Sequence, residues 1–232
     1  VAGRVGIPSG TASVILNVTV TGASAEGFVT VYPCDAARPT SSNLNYTAGQ
    51  TVPNLVIARL DGAGRVCLFN GGPTHLVVDV AGYFPDATSL VTLPSPARVL
   101  ETRGSLSTVD GRMNGVGTLV GGTELVLPIG GRAGVPADAV SVVLNLTAVA
   151  ARGGGYLTVY PCGSARPTAS NLNVVAGQTV PNAVVARLGV GGAVCVFSLP
   201  TTDVVVDVAG FFADTTVLVP LDEAAVREIA ER

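Results

Sequence analysis

The sequence predicts two tandem all-β sandwiches of Greek-key or jelly-roll type, and three observations predict it. The chain repeats itself: Gly3 to Asp86 overlays Gly131 to Asp214 at an offset of about 128 residues, with roughly half the positions identical. Its apolar residues are mostly valines in short runs, punctuated by 29 Gly and 15 Pro, a mixture that suits strands and tight turns better than helices. Those runs alternate with the two-residue period of a half-buried strand.

Each unit reads as a series of such strands. Ser13 to Val20 sets Val14, Leu16, Val18 and Val20 on one face and Ile15, Asn17 and Thr19 on the other, and Ser141 to Ala148 repeats the pattern. Phe28 to Tyr32, Ser42 to Tyr46, Leu55 to Leu60, Arg65 to Asn70 and Thr74 to Gly82 follow, each with a counterpart in the second copy. Gly-Arg-Val-Gly-Ile-Pro, Ala-Gly-Gln-Thr-Val-Pro-Asn and Asp-Gly-Ala-Gly mark turns. Between the copies, Ala97 to Thr102 and Thr123 to Ile129 add two strands that belong to the second unit. A complete unit then has about seven or eight strands in about 120 residues, the dimensions of a two-sheet sandwich. The expected division is residues 1–90 for the first sandwich, 91–220 for the second and 221–232 for a short amphipathic helix, Asp-Glu-Ala-Ala-Val-Arg-Glu-Ile-Ala-Glu-Arg.

The first unit lacks its own version of Pro96 to Ile129, because Val1 aligns with Ile129. A sheet edge left open in this way invites pairing with another strand. Two readings follow: a piece or processed form of a longer array, or a unit completed by a strand from a neighbouring chain, so that the protein polymerises.

Composition narrows the function. Hydrophobic residues make up 48% and charged residues 12%, far from the signature of disorder. The net charge is −3, and all 13 basic residues are arginines scattered singly, without the clustered basic face that nucleic acid requires. No apolar stretch reaches the ~20 residues of a membrane-spanning helix. The expected partners are other copies of the chain or neighbouring repeat domains, with a glycan as an alternative.

Cys34 and Cys67 in the first copy match Cys162 and Cys195 in the second. Equal spacing within each pair, and the absence of the two-to-four-residue spacing of zinc ligands, predict one disulfide per unit and an oxidising, extracellular or cell-surface location, with no metal or cofactor. Asp79 and Asp207 stand in the middle of the apolar run Val-Val-Asp-Val-Ala-Gly, where a lone carboxylate is costly. Structural ion pairing with Arg59 or Arg187, or with Arg98 and Arg103, is expected; calcium held with Glu101 and exposure at a sheet edge are the alternatives.

Nothing points to catalysis. The single histidine, His75, is replaced by Asp203 in the second copy, Glu26, Glu101 and Glu124 have no copy partners, and no phosphate loop or dinucleotide fingerprint occurs. The polar positions kept in both copies are Arg38, Asn43 and Asn45, repeated as Arg166, Asn171 and Asn173. Amides two residues apart on one strand face form a donor and acceptor row able to read hydroxyl groups, or else serve turns and cross-strand bonds. With no Trp and 5 Tyr, a stacking platform for sugars is sparse.

The runs Gly27-Phe-Val-Thr-Val-Tyr-Pro-Cys34, Arg38-Pro-Thr-Ser-Ser-Asn-Leu-Asn45, Ala48-Gly-Gln-Thr-Val-Pro-Asn54 and Val77-Val-Asp-Val-Ala-Gly-Tyr-Phe84 resemble a repeat widespread in secreted actinobacterial proteins. Pro96 to Arg103 is similar to the Pro-Ala-Arg-Leu-Leu-Asp-Thr-Arg start of that repeat, with Glu101 in place of Asp. The resemblance implies a secreted or surface protein and carries no catalytic or binding residues. The expectation is therefore a non-catalytic extracellular structural or adhesive tandem, with a carbohydrate or cell-wall binding module and a strand-exchanging filament subunit as alternatives.

Overall fold

The computed structural model describes residues 1–4, 7–84, 86, 90–104, 106–168 and 170–213; at 81 and 82 it describes the backbone alone. The helix expected over 221–232 lies outside the described residues. Among the described residues fourteen strands carry the fold, and the one helical element is a single 3-10 turn at Val190–Gly192. No helix among these residues is long and apolar enough to cross a membrane.

The first six strands are β1 (Ser13–Thr21), β2 (Gly27–Pro33), β3 (Leu44–Tyr46), β4 (Val52–Arg59), β5 (Val66–Asn70) and β6 (His75–Phe84). They form two three-stranded antiparallel sheets, β4-β1-β6 and β3-β2-β5. The alternation of β1 is the reason the sheets close face to face. Val14, Leu16, Val18 and Val20 are fully buried against Val29 and Val31 of β2 and Leu44 and Tyr46 of β3, as the two-residue period requires.

The second unit has two more strands. β7 (Val91–Glu101) and β8 (Thr123–Pro128) precede β9 (Ser141–Val149), β10 (Gly155–Pro161), β11 (Leu172–Val174), β12 (Val180–Arg187), β13 (Ala193–Ser198) and β14 (Asp203–Phe212). The sheets are β12-β9-β14-β7 and β11-β10-β13-β8. Counted from β7, the unit's eight strands run 6-3-8-1 in one sheet and 5-4-7-2 in the other, the order of a jelly roll. β7 and β8 close the same side of the sandwich, one at the edge of each sheet.

Gly210 shows how closely β7 packs. A Cβ there would lie 2.8 Å from the Val91 carbonyl oxygen, and the register of β14 shifts between Val208 and Gly210 on both neighbouring strands. The Val-Ala-Gly of the repeat is therefore a bulge with room for an adjoining backbone.

Each unit holds a disulfide, Cys34–Cys67 and Cys162–Cys195, across a separation of 33 residues. Both tie the residue just past the end of the second strand of the common six to the fifth strand, two residues on from Tyr32 and Tyr160, the register partners of Cys67 and Cys195. Two disulfides are what an oxidising environment permits.

Candidate functional site

Aligned residues of the two units meet different environments, and the difference lies on one side of the sandwich. Val206 and Val208 of β14 are 0% exposed, while their counterparts Val78 and Val80 of β6 are 40% and 44% exposed. Val77 and Tyr83 are exposed too, whereas Val205 and Phe211 are buried. All of β5 is half-buried, and all of β13 is buried. The cause is β7 and β8, which cover β14 and β13 and have no counterpart among the described residues of the first unit. The first sandwich stands open along β5 and β6.

Charge follows the same division. In the second unit Arg98 on β7 donates from Nε to Asp207 Oδ1 at 3.0 Å and from Nη1 to Glu101 Oε2 at 3.2 Å. Arg103 closes on Glu101 with a two-pronged contact, Nε to Oε1 at 2.8 Å and Nη2 to Oε2 at 2.9 Å. Burial raises the Glu101 carboxyl, and the hydrogen bonds from Arg103 outweigh it, so the group rests below its ordinary value. Asp207 goes the other way: desolvation pushes it up, and the charge of Arg98 only partly opposes this. Glu101, fully buried, is the hub of these pairs, a role sequence reasoning did not give it when it named the residue as a calcium ligand. Its signal was its place between two arginines in Arg98-Val-Leu-Glu101-Thr-Arg103.

The expected ion pairing holds for Asp207 with Arg98 but must be corrected elsewhere. Arg103 bonds Glu101 and not Asp207. Asp79 is exposed and has no ion-pair partner among the described residues. Arg59 pairs with Asp35 at 3.3 Å instead. Asp79 lacks a partner because the strand that delivers the arginine in the second unit is missing beside β6. Glu101, the expected calcium ligand, is instead engaged by Arg98 and Arg103, and among the described residues there is no group of three or more His, Cys, Asp or Glu side chains placed to hold a metal ion.

The amide row also divides. Asn43 and Asn171, expected at a binding surface, are structural: the Asn43 side chain accepts from Val31 N at 2.7 Å, and Asn171 accepts from Val159 N at 2.7 Å. Asn54 and Asn182 donate in turn to the carbonyls of Asn43 and Asn171. Asn43 is buried and Asn171 half-buried, and the side-chain oxygen of each is committed to the backbone. Arg38 and Arg166 remain exposed, each stacked over a phenylalanine ring, Phe69 at 3.8 Å and Phe197 at 3.7 Å. Those rings pack on Phe28 and Tyr156.

Asn45 and Asn173 face a common cleft between the units. A space of about 1020 Å³ is lined by Glu26, Phe28, Asn45 and Gln50 on one side and Asn173 and Gln178 on the other. A smaller cleft of about 350 Å³ continues past Phe28 and Asn45 to Arg98 and Arg103. Neither Asn45 nor Asn173 spends its amide on a hydrogen bond among the described residues, unlike Gln50 and Gln178, which cap their own turns. The units meet beside this cleft through polar bonds: Asn145 Nδ2 donates to the Ser42 carbonyl at 2.7 Å, and Asn54 Nδ2 to Asn145 Oδ1 at 3.3 Å. His75 sits exposed at the start of β6, away from this cleft's lining.

No family model matches the chain, and no curated protein matches it. Among solved structures, the crystal structure of YhhW from Escherichia coli is similar over 90% of this chain and 77% of that one, at 10% identity and a TM-score of 0.23. A likeness that slight carries no argument about function.

Proposed function

We propose that the chain is a non-catalytic structural module of an extracellular or cell-surface protein, which joins its neighbours by strand addition at the open side of its first unit. The observation that carries this reading is the exposure of Val78 and Val80 on a β6 edge whose twin in the second unit is covered. An unpaired edge flanked by apolar side chains is a template for another strand. The two disulfides suit an extracellular setting. Light scattering across concentration tests it. The expected result is association that grows with concentration and is lost in Val77→Lys, which places a charge beside the edge without entering the core. A chain that stays monomeric at every concentration, with β6 amides as protected from exchange as those of β14, would overturn it.

A second reading, recognition of a polyhydroxylated glycan, is favoured by Asn45 and Asn173 facing one cleft with uncommitted amides. It predicts glycan-array binding that disappears when both are changed to Ala.

A further inference from the structure

We infer that the cleft between the units is a site for a neutral oligosaccharide, in which Phe28 is the surface a sugar ring stacks on and Asn45 and Asn173 read its hydroxyls. The inference rests on the glycan reading and names the class of sugar and the aromatic ring that receives it. The chain has no Trp. A phenylalanine supplies the stacking surface instead: Phe28 lines both the large cleft and the smaller one and is 36% exposed.

Strand pairing builds the platform. Phe28 of β2 stands opposite Asn45 of β3 in register, as Tyr156 of β10 stands opposite Asn173 of β11, so each amide shares a sheet face with an aromatic ring. The Phe28 ring is held in place: it packs on Phe69 at 5.5 Å between centroids, and the Arg38 guanidinium covers Phe69 at 3.8 Å. A ring fixed in this way receives a ligand at little ordering cost. The pair Phe28 and Asn45 lies on the β3 side of its sheet, across from β5. In the eight-stranded second unit the corresponding Tyr156 is only half-buried, so an accessible ring at this position belongs to the repeat itself.

The polar groups around the ring suit hydroxyls. Gln50 and Gln178 commit their Oε1 atoms to the backbone amides of Thr47 at 2.9 Å and Val175 at 3.3 Å, which leaves both Nε2 groups without a partner among the described residues. These two amides offer donors, and the uncommitted Asn45 and Asn173 offer donors and acceptors, the mixture that sugar hydroxyls answer. A pyranose with equatorial hydroxyls turns a C–H face to Phe28 and its polar rim to the amides. Fixed anionic charge does not fit. Glu26 is the one charged side chain among the described residues around the large cleft, and Arg98 and Arg103 in the smaller one are already answered by Glu101 and Asp207. A peptide fits no better, because β3 and β11 run three residues each and offer an added strand little to pair with. The large cleft, about 1020 Å³, stands at the top of the ~300–1,000 Å³ range of small-molecule sites, so it takes an oligosaccharide and not a single sugar.

The probe is an array of neutral, uronate-bearing and sulfated oligosaccharides, exposed to the full oxidised chain; the best-bound member is then titrated into variants. Phe28→Trp gives the chain its only tryptophan, so its emission reports contact at this ring. The expected result is binding to neutral oligosaccharides that salt leaves unchanged. Phe28→Ala weakens it about three- to tenfold, and Asn45→Ala or Asn173→Ala each does so by a similar factor. Phe28→Trp keeps the affinity, and its emission moves to the blue as sugar replaces water on the ring. Neutral binding that ignores Phe28→Ala and leaves the tryptophan emission unmoved would overturn the inference and leave glycan recognition by the asparagines standing. Preference for the uronate or sulfated members would overturn the neutral class and leave that reading standing too. A chain that binds no member of the array would overturn both.

Discussion

At the scale of single residues, one motif has two fates set by a single neighbouring strand. Asp207 is wholly buried, its Oδ1 held by Arg98 and its Oδ2 without a hydrogen-bond partner, whereas Asp79 in the same Val-Val-Asp-Val context lies in solvent. Removing one member of a buried ion pair leaves an uncompensated charge, which costs far more than the pair contributes as a whole. Arg98→Met should therefore destabilise the second unit by about 3–5 kcal/mol, while Asp79→Asn shifts stability by less than about 0.5 kcal/mol; urea unfolding of both variants checks this. Equal losses would mean that Asp79 has a partner in solution. Asp110 gives a pH signature. The Arg132 guanidinium holds its carboxyl at about 2, below the ordinary 3.8. A depressed carboxylate contributes stability above its unfolded value, lost as pH falls from 3.8 through about 2. With the side chain 28% exposed, the loss is on the order of 1 kcal/mol. Asp207, raised by burial, has the opposite slope, since its protonation relieves a buried charge. Asp110→Asn should flatten the acid limb of thermal melts between pH 3.8 and about 2, and an unchanged limb would remove Asp110 as its source.

At the scale of elements, the two disulfides close loops of equal length but sit in unlike surroundings. On the chain-entropy view each stabilises its unit by about 3–4 kcal/mol. Cys162 and Cys195 are buried among Tyr160, Ala193 and Phe197, whereas Cys34 and Cys67 are half-buried on a sheet whose outer strand is uncovered. A reductant must reach the sulfur, so graded reduction with thiol labelling and mass spectrometry should open Cys34–Cys67 first; the reverse order would mean that β5 is shielded. Much of this level was legible in the sequence. The alternation of Val14 to Val20 fixes which face of β1 is buried, and the paired cysteines fix the cross-links. What was not legible depends on partners remote along the chain. Asn43 and Asn45 share a strand face on paper, yet β3 begins only at Leu44 and the Asn43 amide turns inward to Val31. Asn145 joins the units while its twin Asn17 bonds only Thr19, so repetition gave no sign of that role. The hub at Glu101 depends on β7 lying beside β14, a pairing more than one hundred residues apart.

At the scale of the whole molecule, the two units share most of their sequence but not their core. The second unit buries a continuous cluster running from Leu93 to Phe211, and the first buries a smaller one that leaves Val78 and Val80 in water. Each fully buried valine contributes roughly 1.5 kcal/mol or more relative to exposure, so the exposed Val78 and Val80 contribute less to the first unit than the buried Val206 and Val208 do to the second. The bonds between the units are few and polar, Asn145 to Ser42 and Asn54, Ala183 to Asn54 and Ser13 to Thr92, with a small apolar contact around Leu90, Phe84 and Phe212. Such an interface couples the units too weakly to make their unfolding a single event. Denaturation should therefore show two transitions, the first belonging to residues 1–84. Hydrogen exchange at stepped urea concentrations resolves them: amides of β5 and β6 should lose protection well before those of β13 and β14. One merged transition would show that the interface, not the strand complement, sets the stability of the first unit.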